Sequence, residues 1–224
     1  MRKFIDLRLV PRPRLGESMV RRAHELGYSG VALTGEKIRD ATVIEVYPRI
    51  DLEPSSQQQL KQQLGTLRKN YTVVSVTCNT KNIARDAARD TRVDIIRFPT
   101  DNRRRTVWMD RQQATLAAEY GCHYEIETAE LLAQDPAVLS ETLRILRREL
   151  KNANKNDVPI ILSSGAPDIY GLRAPRDMAS LMELLDVDEV EALDMVSANP
   201  WAIVEGNRDK LSGRSVLPGV SRVE

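Results

Sequence analysis

The stretch Tyr71-Thr72-Val73-Val74-Ser75-Val76-Thr77-Cys78, then a short helical run from Ile83 to Arg89, then Val93-Asp94-Ile95-Ile96-Arg97-Phe98 ended by Pro99, decides the fold. A β-branched run of that length predicts a strand buried on both faces, and strand, helix and strand in succession make one βαβ unit. Parallel strands need such crossovers, so the middle of the chain specifies a parallel sheet covered by helices.

The alternation extends both ways. Upstream, Phe4-Ile5-Asp6-Leu7-Arg8-Leu9 is strand-like, and Gly16 to Leu26 is helical with Met19, Ala23 and Leu26 on one face and Gly27 as its stop. Strands follow at Gly30-Val31-Ala32-Leu33 and Thr42-Val43-Ile44-Glu45-Val46-Tyr47. Ser55 with Gln58 predicts a capping box for a helix striped by Leu60, Leu64 and Leu67. Downstream, Asp110 with Gln113 caps a helix ending at Gly121, and Cys122-His123-Tyr124-Glu125-Ile126 is the next strand. A long helix from Pro136 carries Leu139, Leu143, Leu146 and Leu150 and returns into Pro159-Ile160-Ile161-Leu162, with helices from Pro175 and Asp188 closing the chain. If Thr106-Val107-Trp108-Met109 adds a short strand, the count reaches eight. The expected class is therefore α/β, a TIM-like (β/α) barrel, and no glycine-rich nucleotide loop follows the first strand to favour an open doubly wound sheet.

A length of 224 residues favours one domain, expected over residues 1–206, with a basic and frayed tail over 207–224. The longest run free of Lys, Arg, Asp and Glu, Asn70 to Thr80, is too short to cross a membrane, and charges at Arg2, Lys3, Asp6 and Arg8 argue against a signal peptide. The chain is expected to be cytoplasmic, with no membrane partner. Cys78 and Cys122 sit among apolar neighbours and are expected to be buried thiols.

The net charge of +1 hides an asymmetry. Residues 1–112 carry 22 Lys plus Arg against 13 Asp plus Glu, a balance of +9, and residues 113–224 carry 11 against 19, a balance of −8. Such halves suit a basic face for phosphate or nucleic acid and an acidic face for a basic partner. Of the basic residues 25 are Arg and 8 Lys, and the guanidinium fork is the better phosphate binder.

Barrel enzymes place chemistry at the C-terminal ends of strands, where the candidates are Asp6, Glu45, Asp51, Asn79, Asp94, Arg97, Glu125, Glu127, Ser163 and Ser164. With His24 and His123 the only histidines, a transition-metal centre is not expected. A Mg²⁺ or Mn²⁺ site from Asp6, Glu45 and Glu125 stays open against local salt bridges, as does a stand-alone phosphoesterase or sugar-phosphate enzyme built on it. Ser163, Ser164 and Gly165 are a candidate phosphate loop, with an ordinary tight turn as the alternative. The densest basic run is Arg103-Arg104-Arg105, with Trp108 three residues on, and Arg12, Arg14, Arg21, Arg22, Arg85, Arg89, Arg92, Arg173 and Arg176 extend it if folding gathers them. Aromatic residues at 4% are too few for a base-stacking platform, so RNA binding would rest on backbone and shape contacts.

The run Ile161-Leu162-Ser163-Ser164-Gly165-Ala166, then Tyr170-Gly171-Leu172-Arg173-Ala174-Pro175-Arg176-Asp177-Met178-Ala179-Ser180-Leu181, then Val196-Ser197-Ala198-Asn199-Pro200 and Glu205-Gly206-Asn207-Arg208, resembles archaeal ribonuclease P protein component 3, the family of the 30 kDa protein subunit. Phe4-Ile5-Asp6-Leu7 and Leu26-Gly27-Tyr28-Ser29-Gly30-Val31-Ala32 agree with it. The resemblance implies a barrel related to metal-dependent phosphoesterases without their ligand set, and a non-catalytic role in the ribonucleoprotein that removes 5′ leaders from precursor tRNA. It implies no cofactor on this chain and the catalytic Mg²⁺ on the RNA subunit. The implied partners are the ribonuclease P RNA, other ribonuclease P proteins, and a small ferredoxin-like subunit with which two such pairs form a heterotetramer. Arg173 and Arg176 are the RNA-facing positions within the matching motif, joined as candidates by Arg12, Arg14, Arg97, Arg103, Arg104, Arg105 and Arg208. After the strand at residues 124–126 the chain reads Glu127-Thr128-Ala129-Glu130-Leu131-Leu132, more acidic than the family pattern.

Overall fold

The computed structural model describes residues 2–35, 38, 43–100, 104, 106–132, 135–211, 215–217 and 220–221. Among them seven parallel strands follow one another around a single sheet in chain order: β1 (Ile5–Leu9), β2 (Gly30–Thr34), β3 (Glu45–Leu52), β4 (Val73–Thr77), β5 (Ile95–Arg97), β6 (His123–Glu127) and β7 (Ile160–Ser163). Helices α1 (Gly16–Glu25), α2 (Gln57–Leu67), α3 (Lys81–Arg89), α4 (Arg111–Tyr120), α5 (Thr128–Leu132) and α6 (Pro136–Asn154) cover the outside, and α7 (Pro175–Ser180), α8 (Glu189–Met195) and α9 (Ala198–Leu211) follow β7. The result is a TIM-like barrel of seven strands.

Residues 106–109 form a turn after β5 rather than an eighth strand. Val107 and Met109 are buried there as plugs, and Asn152 on α6 donates to the Met109 carbonyl at 2.9 Å. Irregular backbone fills the gap between β7 and β1 instead. At the C-terminal end of the strands, Gly165 N donates to Arg8 O (3.0 Å) and Val10 N to Ala166 O (2.9 Å); at the other end Ile5 N donates to Val196 O (3.1 Å). Asn199 Nδ2 ties the start of α9 to the carbonyl of Ile160 at 2.8 Å.

The third strand departs from expectation, starting at Glu45 and running on through Pro48 to Leu52. Proline is tolerated because its missing N–H falls on the β4 side just before that pairing begins at Arg49, while its carbonyl accepts from Thr72 N (2.9 Å). The cap of α2 lies one residue later than predicted: Ser56 Oγ accepts from Gln59 N while Gln59 Oε1 accepts from Ser55 N. The frayed tail expected from Asn207 does not begin there. α9 continues to Leu211, Asn207 is buried and bonded to Thr72 O and Asp94, and Ser215–Leu217 pairs antiparallel with Val220–Ser221 beyond it.

Two apolar layers result. One lies between sheet and helices, and includes Leu60, Leu64, Leu146 and both buried cysteines. The other is inside the barrel, where Ile5, Leu7, Ala32, Tyr47, Val73, Ile95 and Ile161 meet Ile203 and Val204 of α9. The last helix thus stoppers the N-terminal end of the barrel. Above this layer the inward positions become polar, since alternate residues of β3 (Tyr47, Arg49, Asp51), β6 (Glu125, Glu127) and β7 (Ile161, Ser163) share one face.

Candidate nucleic-acid interface

The C-terminal half of the barrel interior is filled by ion pairs. Arg49, 1% exposed, lays its guanidinium against Glu125 through bonds of 2.6 and 2.5 Å, donates Nε to Asp51 (2.7 Å), and gives a further bond to Leu7 O (2.7 Å). Arg8 bridges Asp51 (3.0 Å) and Glu127 (2.6 Å), and Arg97 pairs with Glu127 and bonds Thr77 Oγ1 at 2.8 Å. A register shift in β1 between Asp6 and Leu9 accompanies the turn of Arg8 to these partners. Three guanidinium groups therefore face three carboxylates where a barrel enzyme would hold metal or substrate.

The charges set one another. Burial raises the Asp51 carboxyl, but Arg49, Arg8 and Arg97 outweigh it and hold it at about 2. Burial likewise opposes Glu125, yet Arg49 brings it below the usual carboxylate range; at Glu127 burial prevails over Arg8 and Arg97 and the value rises. Asp6, fully buried with its Oδ1 accepting from Arg8 N and Ser164 N, is pushed up to about 6 by burial.

Asp6, Asp51, Arg97, Glu125, Glu127, Ser163 and Ser164 thus gather at this end of the barrel, whereas two of the carboxylates named with them do not. Glu45 begins β3 and Asp94 precedes β5, so both lie at the N-terminal end, opposite Asp6 and Glu125. Glu45 pairs with Tyr47 and Arg208, and Asp94 accepts from Val74 N, Arg68 and Asn207. The proposed phosphate loop has no donors left over: Ser164 N serves Asp6, Gly165 N serves Arg8 O and Ala166 N serves Ser164 Oγ, while Ser163 Oγ donates to Glu125 (2.7 Å). Gly165 has φ +65°, and a Cβ there would stand 2.6 Å from Glu127 Oε2, so it is a packing glycine.

The arginines divide. Arg104 is 5% exposed and bonded to Glu149, Glu130 and Tyr124 Oη, which removes it from the expected basic patch and makes it an internal strut. Arg97 likewise faces inward. Arg103 and Arg105 lie outside the described residues. Arg208 is at the far end of the barrel on Glu45. Arg85 is committed to Asp110 and Gln113.

Arg12, Arg14 and Arg173 remain exposed on two adjoining loops. The loop after β1 is tied to the loop after β7 by Arg12 N to Pro167 O (3.0 Å) and by the Arg12–Asp168 pair at 3.6 Å. The second loop is braced by its own hydrogen bonds: Asp168 Oδ1 accepts from the amides of Tyr170 and Gly171, and Arg173 Nη1 donates to Tyr170 O and Leu172 O. It presents the ring of Tyr170, 82% exposed, beside these cations. Arg176, the second residue of α7, is exposed with its guanidinium 5.9 Å from the Phe4 ring centre. Sequence reasoning missed Arg8 and Arg49. Their signal was a cation at an inward position of a buried parallel strand, which demands a carboxylate opposite.

No helix of the described residues is long and apolar enough to cross a membrane. A family model described as RNase P subunit p30 matches residues 3–212. The chain is 30% identical over 195 residues to ribonuclease P protein component 3 of Methanosarcina barkeri, covering 83% of this chain and 81% of that one. It superposes on a chain of the cryo-EM structure of archaeal ribonuclease P with mature tRNA at a TM-score of 0.82 with 22% identity, covering 98% and 97%. The barrel of Aspergillus niger ochratoxinase is a more distant likeness, TM-score 0.59 and 12% identity over 91% of this chain and 71% of that one.

Proposed function

Since this chain belongs to the RNase P subunit p30 family and is a protein subunit of ribonuclease P, the enzyme that processes tRNA 5′ ends, we propose that it meets RNA through the loops that follow β1 and β7. The observation that carries this reading is the tied pair of loops bearing Arg12, Arg14 and Arg173, with Arg176 following. Their guanidinium groups are placed for phosphate contacts, which supply affinity and counter the repulsion between RNA helices. The chain itself performs no bond cleavage. Its barrel mouth is filled by Arg8, Arg49 and Arg97, whose charges already answer Asp51, Glu125 and Glu127.

The catalytic Mg²⁺ is carried by the RNA subunit. The acidic second half of the chain, with Leu184 and Val190 exposed among Glu183, Asp186, Asp188 and Glu191, faces a protein partner, a small ferredoxin-like subunit in a heterotetramer. The complex works in the cytoplasm. The test is precursor-tRNA cleavage reconstituted with and without the chain across a Mg²⁺ titration. The chain lowers the Mg²⁺ requirement, and replacing Arg12, Arg14 and Arg173 together by Ala removes that benefit; activity indifferent to the chain at low Mg²⁺ would overturn the proposal.

A further inference from the structure

The N-terminal end of the barrel carries a second polar feature, unrelated to the mouth. α2 and the 3₁₀ turn after it (Arg68–Asn70) stand apart from α9, leaving a cleft of about 860 Å³ above the starts of β4, β5 and β6. This is well within the size range of small-molecule sites. Its inner wall is apolar, formed by Leu64 and Ile203, and its edge carries Tyr120, 39% exposed, and Leu211, 44% exposed. His123 and Asn207 supply polar groups in the depth. Burial pushes the His123 imidazole down to about 4, so it is neutral at physiological pH.

The rim is cationic. Lys69 from the 3₁₀ turn, Arg92 from the turn before β5 and Lys210 from α9 converge on it. Arg68 and Asp94, also on the lining, neutralise each other at 3.3 Å, and Arg92 is held by Asp90, so the carboxylates here are already paired. Lys69 and Lys210 are exposed, and among the described residues neither is within salt-bridge distance of a carboxylate, the charge of Lys210 being felt only at a longer range by the buried Asp94. Two mid-helix glycines, Gly65 and Gly206, face the cleft, and a Cβ at either would meet nothing within 4 Å. Glycine inside a helix costs about 0.5–1 kcal/mol relative to alanine, and no tight packing requires it at these positions. An apolar slot with an aromatic edge beneath ammonium groups matches a base joined through its sugar to a phosphate.

We propose that this cleft binds a phosphorylated nucleoside, the base against Tyr120, His123 and Ile203 and the phosphate against Lys69 and Lys210. The proposal rests on ribonuclease P membership only for the source of the ligand, a nucleotide unstacked from RNA or a free one.

The experiment titrates the full chain at low salt with UMP, uridine and inorganic phosphate, following backbone amide NMR shifts. UMP is expected to shift residues 64–69, 120–123 and 203–211 and to bind at least about tenfold more tightly than uridine or phosphate. Lys69→Ala with Lys210→Ala weakens UMP about tenfold, and Gly206→Leu, a helix-compatible filler, abolishes it. A short oligouridylate binding more tightly than UMP at the same residues assigns the ligand to RNA, and equal affinity assigns it to a free nucleotide. The proposal fails if UMP gives no shifts at about 10 mM, if phosphate alone binds as well, or if Gly206→Leu leaves UMP affinity unchanged while disrupting assembly with a protein partner, which would make the cleft a protein-docking surface. Failure here with cleavage still dependent on Arg12, Arg14 and Arg173 removes the cleft and leaves the functional proposal standing. Loss of that dependence with UMP still bound does the reverse.

Discussion

Arg49 and Glu125 meet across the barrel interior through two parallel hydrogen bonds of 2.6 and 2.5 Å, both side chains shut off from solvent. A planar fork facing a planar carboxylate is the geometry in which a buried pair recovers most of its dehydration penalty, and removing one partner leaves the other charge stranded. Arg49→Ala or Glu125→Ala is therefore expected to lower stability by about 3–5 kcal/mol, roughly 6–20 °C in Tm. Replacing both together by apolar residues of similar volume should recover much of that loss. Thermal unfolding followed by circular dichroism checks it, and single variants within about 1 kcal/mol of the parent would refute the account.

The exposed and the buried arginines should separate cleanly in a paired measurement. Arg12→Ala removes a side chain that is 68% exposed, so Tm stays within a degree or two while RNA binding weakens and its logarithmic salt slope flattens by about 0.7–0.9. Arg104→Ala breaks bonds to Glu149, Glu130 and Tyr124 inside the protein and should cost about 3–5 kcal/mol of stability. Folded Arg104→Ala protein should then keep the parent's salt slope; a slope reduced as far as in Arg12→Ala would show that Arg104 reaches RNA.

Asp6 makes stability depend on pH in an identifiable direction. Its folded value, about 6, lies above the unfolded value near 3.8, so the folded state holds the proton more tightly. The resulting contribution is complete below pH 4 and is lost as pH rises through about 6, an effect on the order of 2–3 kcal/mol. Asp51, held at about 2, acts oppositely: its contribution is present above pH 4 and fades as pH falls toward 2. Asp6→Asn should therefore flatten the stability profile between pH 4 and 6 in urea titrations and leave the acid limb below pH 4 in place. A parent-like slope between pH 4 and 6 in that variant would remove Asp6 as the cause.

The glycines make a third contrast. Gly206→Ala adds a Cβ into open space within α9 and should stabilise by about 0.5–1 kcal/mol. Gly165→Ala must adopt φ +65° with its Cβ driven against Glu127 Oε2, and should destabilise by roughly 1–3 kcal/mol. Chemical denaturation of the two variants beside the parent should give shifts of opposite sign.

How far the sequence carried the reading follows from what each signal encodes. Val73 to Thr77 and Ile160 to Ser163 were legible because strands buried on both faces are written as unbroken apolar runs. The spacing of Leu146 and Leu150 likewise marks the face α6 turns inward. Val107 and Met109 misled because a buried turn and a short strand show the same alternation, and only pairing distinguishes them. Glu45 and Asp94 were assigned to the wrong end of the barrel because composition locates a strand better than it fixes where the strand starts. Arg104 could not be told from Arg103 and Arg105 in the sequence, since its partners Glu130 and Glu149 are remote along the chain and only folding brings them near.

The stopper formed by α9 has a consequence in time. β1 emerges from the ribosome well before the groups that finish its surroundings, Ala166, Val196, Ile203 and Val204. At 5–20 residues per second the first strand waits roughly 10–40 s for them. Until then the apolar interior stands open at one end. Order of synthesis thus makes the docking of α9 the step that seals the barrel.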